Sequence, residues 1–261
     1  MKKFSSVFTA VCVSVAAVLA AYMFGQRFNH LSAGLTYDEL YSLATAWPGL
    51  KLSYIWHEFL LKDINLPLYN ILLYGWNHLF PTEPFYMRLF NTLASLATVP
   101  TAYFLAPAAW PKLKKLMLAA LTAASFILVA FGLTIRAYSF AVWAGMAFTL
   151  LALGIIDSLA RQKNPSAKTW AAFFTIGLLG SYLHYVCSGL FFITALVVFL
   201  YACYYKKGRA AAFWGTAAVF AVWLPWVINT CLLLYAPSGS WWYVVPALRS
   251  SWDILQFLFG S

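Results

Sequence analysis

Between residues 112 and 209 the chain alternates short clusters of Lys and Arg with apolar runs too long for any ordinary helix. Leu116 to Ile156 is 41 residues with Arg136 as its one charge, and Trp170 to Tyr205 is 36 residues with none. As single helices, at about 1.5 Å per residue, both would exceed about 50 Å. A bilayer's hydrocarbon core is only about 30 Å thick. Each run therefore reads as a hairpin of two membrane spans. The flanking clusters (Lys112/Lys114/Lys115, Arg161/Lys163/Lys168 and Lys206/Lys207/Arg209) then share one side of the membrane, as the positive-inside rule requires.

Composition supports this reading. Of the 261 residues, 63% are hydrophobic and 9% charged, against about 45–50% and about 25% in a soluble domain. A water-soluble globule and a disordered chain are both excluded. The net charge of +10 resides in clusters between apolar runs, which is a topological signal and not the basic stripe of a nucleic-acid binder. Cys12, Cys187, Cys203 and Cys231 lie in apolar stretches without the spacing of a zinc site.

The expected fold is an all-α, multi-pass transmembrane helical bundle of about seven spans. Phe4 to Phe24, following Lys2 and Lys3, is the first span and sets a cytoplasmic N-terminus; a cleaved signal peptide would begin in the same way. Phe85 to Ala106 is the second. The two hairpins turn at Gly132 to Arg136 and near Gly180 to His184, and Ala210 to Leu234, bent at Pro225, is the last. This topology places 11 of the 17 basic residues inside and six of the seven acids outside.

Residues 25–84 form the first outer loop, which is long enough to carry structure or function. Thr36-Tyr37-Asp38-Glu39 matches a capping box, with Thr36 as the cap and Glu39 reaching back to it. Asp38 then stands in the first helical turn, where the dipole favours its charge. Leu52, Ile55, Trp56, Phe59 and Leu60 recur at helical spacing, which predicts an interfacial helix with its aromatic face in lipid and with His57 and Glu58 on the solvated side. Asp63-Ile64-Asn65-Leu66-Pro67 leads into another short helix, because Pro67 suits a first turn and disfavours helix before it.

Taken in order, these residues resemble the integral-membrane GT-C glycosyltransferases, in the protein mannosyltransferase-like group that includes bacterial lipid A aminoarabinose transferases. The resemblance rests on Asp38-Glu39 with Tyr41 after a first span, and on Asp63…Pro67-Leu68-Tyr69, similar to D-x-x-P-P-L-Y-Y. Arg88-Leu89, Arg136-Ala137-Tyr138 (similar to R-x-Y) and His184-Tyr185 follow. It covers roughly residues 5 to 235 and implies a location in the inner (plasma) membrane. Leu66 stands where the family commonly has a first Pro. Family members are usually longer, so residues 1–261 are expected to be one domain incomplete at its C-terminus.

The resemblance implies an inverting transfer of sugar from a polyprenyl-phosphate donor to an acceptor hydroxyl on the extracytoplasmic face. Asp38 would be the base, Glu39 its neighbour or a metal ligand, and Asp63 a second acid shaping the acceptor site. Arg136 would clamp the phosphate, with Arg88 as a second candidate that also reads as a helix-end anchor. His184 would ligate a divalent metal or contact phosphate, and Tyr138 and Tyr185 would contact sugar or carrier. Apart from that metal no cofactor is expected. The partners are the lipid donor, membrane lipids and an unspecified acceptor, and nucleic acid is not among them. Two other readings are a lipid or small-molecule transporter and a catalytically inactive truncated membrane protein. Ionisable residues collect at the outer helix ends and not at mid-span, which favours interfacial chemistry over transport.

Overall fold

The computed structural model describes residues 30–235 and, before them, positions 11, 14, 15, 18, 21, 22 and 25. The expected first span, the Trp241-Trp242-Tyr243 belt and the apolar stretch at Ile254 to Phe259 therefore lie outside the continuously described residues.

The described residues form helices and no strand. Three short helices come first: α1 (Tyr37–Ala44), α2 (Leu52–Glu58) followed by a 3-10 turn at Leu60–Lys62, and α3 (Leu68–Leu79). The bundle comprises α4 (Pro84–Phe104), α5 (Lys112–Ala123), α6 (Phe126–Leu133), α7 (Tyr138–Ala160), α8 (Ala167–Leu183), α9 (Tyr185–Tyr204) and α10 (Arg209–Tyr235). Tyr138–Ala160, Tyr185–Tyr204 and Arg209–Leu234 are long and apolar enough to cross a membrane. A fourth candidate is α5 with α6, which meet at a 49° bend. These helices mark the chain as a membrane protein.

Two helix breaks overlap the expected turns, whereas the break at residues 124–125 between α5 and α6 was not expected. Thr134 to Ala137 separates α6 from α7, and His184 separates α8 from α9. The two breaks share one end of the bundle, and the loops after α7 and α9, with their basic clusters, share the other.

The expectation of about seven spans is not met by these helices alone. α8 has 17 residues, and α4 carries a polar stripe in place of a uniformly apolar surface. Arg88, Asn91, Thr92, Ser95 and Thr98 are all buried on α4, at the three- and four-residue spacings that line one helix face. Three of them donate to carbonyls freed at and beyond the end of α6, and Ser95 donates to one within it. Arg88 Nε bonds the Leu133 carbonyl at 2.9 Å and Thr92 bonds that of Gly132 at 3.0 Å. Ser95 bonds that of Leu128, and Asn91 bonds those of Thr134 and Arg136. A terminated helix inside an apolar bundle leaves carbonyls without partners, and α4 supplies the donors. Gly132 permits the close approach, since a Cβ there would lie 3.1 Å from the Ser95 Cβ.

α7, α8 and α9 pack around Phe148, Phe173 and Phe191, all fully buried. Gly177 admits the Phe191 ring, which would otherwise overlap a Cβ at 2.1 Å. The α2 face differs from its predicted placement in lipid. Ile55 and Leu60 are buried with Leu66 and Trp226, and the Trp56 ring lies 5.9 Å from that of Trp226. α10 supplies a protein partner for Ile55, Trp56 and Leu60, whereas Leu52 is 40% exposed and Phe59 half-buried. His57 is exposed and Glu58 pairs with Lys62 at 2.6 Å on the surface, as solvated positions should.

Candidate functional site

α1 starts as its capping box dictates. The Glu39 amide donates to the Thr36 hydroxyl at 3.4 Å, and the Thr36 amide donates to Glu39 Oε2 at 2.9 Å. The same carboxylate has further partners. Arg88 Nη2 reaches Oε2 at 3.1 Å, and the Ile135 amide donates to Oε1 at 3.0 Å. Arg88 also donates to the carbonyls of Leu31 at 3.1 Å, of Gly34 at 2.9 Å, and of Ala33.

Glu39 is 2% exposed and Arg88 4%. Burial alone would push the Glu39 carboxyl up, but the Thr36 and Ile135 amides and the Arg88 guanidinium together hold it below its ordinary value. Two expectations are corrected here. Glu39 turns both oxygens inward and presents none to a metal or substrate. Arg88, taken either as a phosphate contact or as a helix-end anchor, is the buried hub that fixes residues 31–34 against the break after α6.

A polar cavity of about 120 Å³ opens beside this hub, at the end of the bundle that carries the two breaks. Tyr41, Asn65, Tyr69, Asn70, Arg136, Tyr138, His184 and Tyr185 line it. Four of the sequence-derived candidates thus meet at one site: Arg136, Tyr138, His184 and Tyr185. Asp63 stands just behind the wall, 7% exposed. It accepts from the Tyr41 hydroxyl at 2.8 Å and from the Asn65 side chain at 2.9 Å and backbone amide at 3.0 Å. Its role in this geometry is to aim Tyr41 and Asn65. Asp38 is exposed and is not a wall residue, but its backbone carbonyl lies 3.5 Å from Arg136 Nη1.

The polar wall is held rigidly. The Tyr69 hydroxyl donates to Asn91 Oδ1 at 3.0 Å, and Asn91 Nδ2 donates in turn to the Arg136 carbonyl at 3.0 Å. Burial raises the Tyr69 phenol far above its ordinary value, so it acts as a donor and not as a base. The Tyr185 hydroxyl bonds the Ile64 carbonyl at 2.7 Å and lies 2.8 Å from the Thr230 hydroxyl, tying α9 and α10 to the Asp63 loop.

Two groups in this wall have unsatisfied capacity. Arg136 is half-buried and pairs with no carboxylate among the described residues. His184 caps α9, accepting the Val186 amide on Nδ1 at 3.2 Å. An accepting Nδ1 places the proton of the neutral ring on Nε2. Burial, and then the nearby Arg136 charge, lower the pKa of His184, which keeps the ring neutral and Nε2 a donor.

The cavity adjoins a second, apolar space. A groove of about 520 Å³ between α7 and α9 is lined by Val142, Gly145, Met146, Val186, Cys187 and Leu190 among others, and it shares Tyr138 and His184 with the cavity. These two rings, 5.7 Å apart, stand at the junction of a polar and an apolar compartment.

The metal-ligand expectation for Glu39 and His184 does not fit this geometry. Glu39 is committed to Arg88, His184 Nδ1 to Val186, and no group of three His, Cys, Asp or Glu side chains converges among the described residues. Tyr41, Asn65, Tyr69 and Asn91 were missed as site residues in the sequence. Tyr41 and Tyr69 had entered only as parts of motifs, and Asn91 is detectable only through the polar periodicity of α4. No family model, curated protein or solved structure matches the chain.

Proposed function

We propose that the chain is a membrane glycosyltransferase of the GT-C type, taking a sugar from a polyprenyl-phosphate donor at the cavity between the two helix breaks. The observation that carries this reading is the junction at Tyr138 and His184. There a polar cavity containing Arg136, which pairs with no carboxylate among the described residues, meets an apolar groove. A polyprenyl phosphate has the matching parts, an anionic head and a long apolar tail.

In this reading the isoprenoid lies between α7 and α9. Arg136 and the His184 Nε2–H hold the bridging phosphate, where a fixed guanidinium and a neutral donor stabilise charge as it develops. The acceptor hydroxyl attacks the anomeric carbon from the opposite face, the carbon–oxygen bond to phosphate breaks, and the configuration inverts. Asp38, exposed beside Arg136, takes the hydroxyl proton. Tyr41 and Asn65, aimed by Asp63, orient sugar or acceptor, and Tyr185 fixes the loop that carries them. Glu39 and Arg88 act only through position. The topology proposed with it has about seven spans, with the N-terminus cytoplasmic and the cavity extracytoplasmic.

A head-and-tail site would equally serve movement of the same lipid across the bilayer, and one experiment separates the two. The purified chain is incubated with polyprenyl-phosphate sugars radiolabelled in the sugar. Glycosyl transfer predicts loss of label from the lipid fraction. Intact labelled lipid that changes leaflet in proteoliposomes would establish transport instead.

A further inference from the structure

We propose that the opposite end of the bundle holds an anionic membrane phospholipid, seated with one chain between α9 and α10 and its phosphate at Arg209 and Lys206. This site is independent of the cavity discussed above and of the chemistry proposed there.

A lateral groove of about 380 Å³ runs between these helices. Its floor is made of small side chains, Ala195 and Ala212, each about 1% exposed. Ring pairs bridge it at both ends: Phe192 with Phe220 at 5.8 Å and Phe199 with Phe213 at 6.1 Å. The lining is apolar apart from the Thr216 hydroxyl, which is spent on the Ala212 carbonyl at 2.7 Å.

The groove residues on α10 are Ala212, Phe213, Thr216, Ala217 and Phe220. Counted from Arg209 they stand at i+3, i+4, i+7, i+8 and i+11, which is one helix face. Arg209 therefore heads the same face that lines the groove, one turn beyond its last apolar residue. Arg209 is exposed, and no carboxylate pairs with it among the described residues.

The adjoining loops add positive charge. Gly208, at φ +68°, packs the α9–α10 turn onto Trp170, and Lys207 Nζ donates to the Gln162 carbonyl of the α7–α8 turn. These contacts bring Arg161, Lys163, Lys206 and Arg209 to one rim, where Asp157, the one acid there among the described residues, is already paired with Arg161 at 3.1 Å. A basic rim heading an apolar groove at the end of a membrane helix matches a phosphodiester headgroup with an acyl chain. A zwitterionic lipid has the same phosphodiester but no net charge for the rim to attract, so it gains less.

The test uses the whole purified chain in detergent, with retained lipid counted by native mass spectrometry after exposure to equal amounts of phosphatidylglycerol and phosphatidylcholine. The wild type is expected to retain phosphatidylglycerol preferentially. Lys206→Gln and Arg209→Gln should each cut the preference about fivefold. Ala217→Phe, which fills the groove from its wall, should reduce retention of both lipids. Lys112→Gln with Lys114→Gln, on the remote α5 cluster, should leave the preference intact. Equal retention of the two lipids by the wild type would overturn the proposal. So would an equal loss of preference in the α5 variant, which would assign the effect to diffuse surface charge, or unchanged retention in Ala217→Phe.

Discussion

Replacing Arg88 with Met keeps an unbranched apolar stem and removes the guanidinium, which isolates what the buried hub contributes. The variant strands Glu39, 2% exposed, without its counter-ion, and breaking a buried pair in this way costs about 3–5 kcal/mol. It also leaves the carbonyls of Leu31, Ala33, Gly34 and Leu133 short of a donor. At about 2–4 °C per kcal/mol for a chain of this size, the melting temperature followed by tryptophan fluorescence in detergent should fall by about 6–20 °C. Glu39→Gln keeps one acceptor oxygen, enough for the Thr36 amide or the Ile135 amide but not both, strands no charged carboxylate and leaves Arg88 with its carbonyls, so its drop should be smaller. The double variant, with no stranded carboxylate, should be more stable than Arg88→Met alone. A shift of under about 2 °C for Arg88→Met, or a double variant with additive losses, would refute the hub.

Acid supplies a second perturbation of the same hub. The Glu39 carboxyl is held below its ordinary value of 4.5, so its stabilising contribution is complete above that pH and is lost as pH falls through the depressed folded-state value. Melting curves of the wild type should decline in that acid range, and those of Glu39→Gln should decline less. At the cavity, Asp38→Asn should abolish sugar transfer with normal membrane insertion, measured by label release and membrane fractionation. Tyr41→Phe removes the bond to Asp63 and should lower turnover more than lipid affinity, measured as a split between kcat and KM. Val142→Trp, in the α7–α9 groove, should weaken retention of a long polyprenyl phosphate more than that of a short one, measured by native mass spectrometry.

Features governed by local rules were legible in the sequence. The Thr36 capping box, the breaks at Thr134 to Ala137 and at His184, and the end of α3 before Pro81 follow from backbone chemistry and helix length. Arg136, Tyr138, His184 and Tyr185 were singled out from the residues at the breaks and from the resemblance, and they do line one cavity. Features set by long-range partners were not legible. Nothing near residue 88 shows that Arg88 will be sealed against carbonyls 54–57 residues earlier in the chain. An acidic pair in a loop therefore reads as two reactive carboxylates, when one of them is structural. The covering of Ile55, Trp56 and Leu60 by α10 was hidden for the same reason: a period of 3.6 shows that a face is apolar but not whether lipid or protein covers it. Polar spacing on α4 was visible, and it carried the information that this helix is built to bind carbonyls.

The claim that matters most is that Arg136 reads a lipid phosphate at the mouth of the α7–α9 groove. Its most direct test is the affinity of the purified chain for a polyprenyl phosphate compared with the matching polyprenol, in the wild type and in Arg136→Ala. A charged hydrogen bond contributes about 1.5–3 kcal/mol, so the wild type should prefer the phosphate by at least about tenfold, and the variant should lose that preference while still binding the alcohol. Equal affinity of the wild type for phosphate and alcohol, or an undiminished preference in Arg136→Ala, would contradict the account.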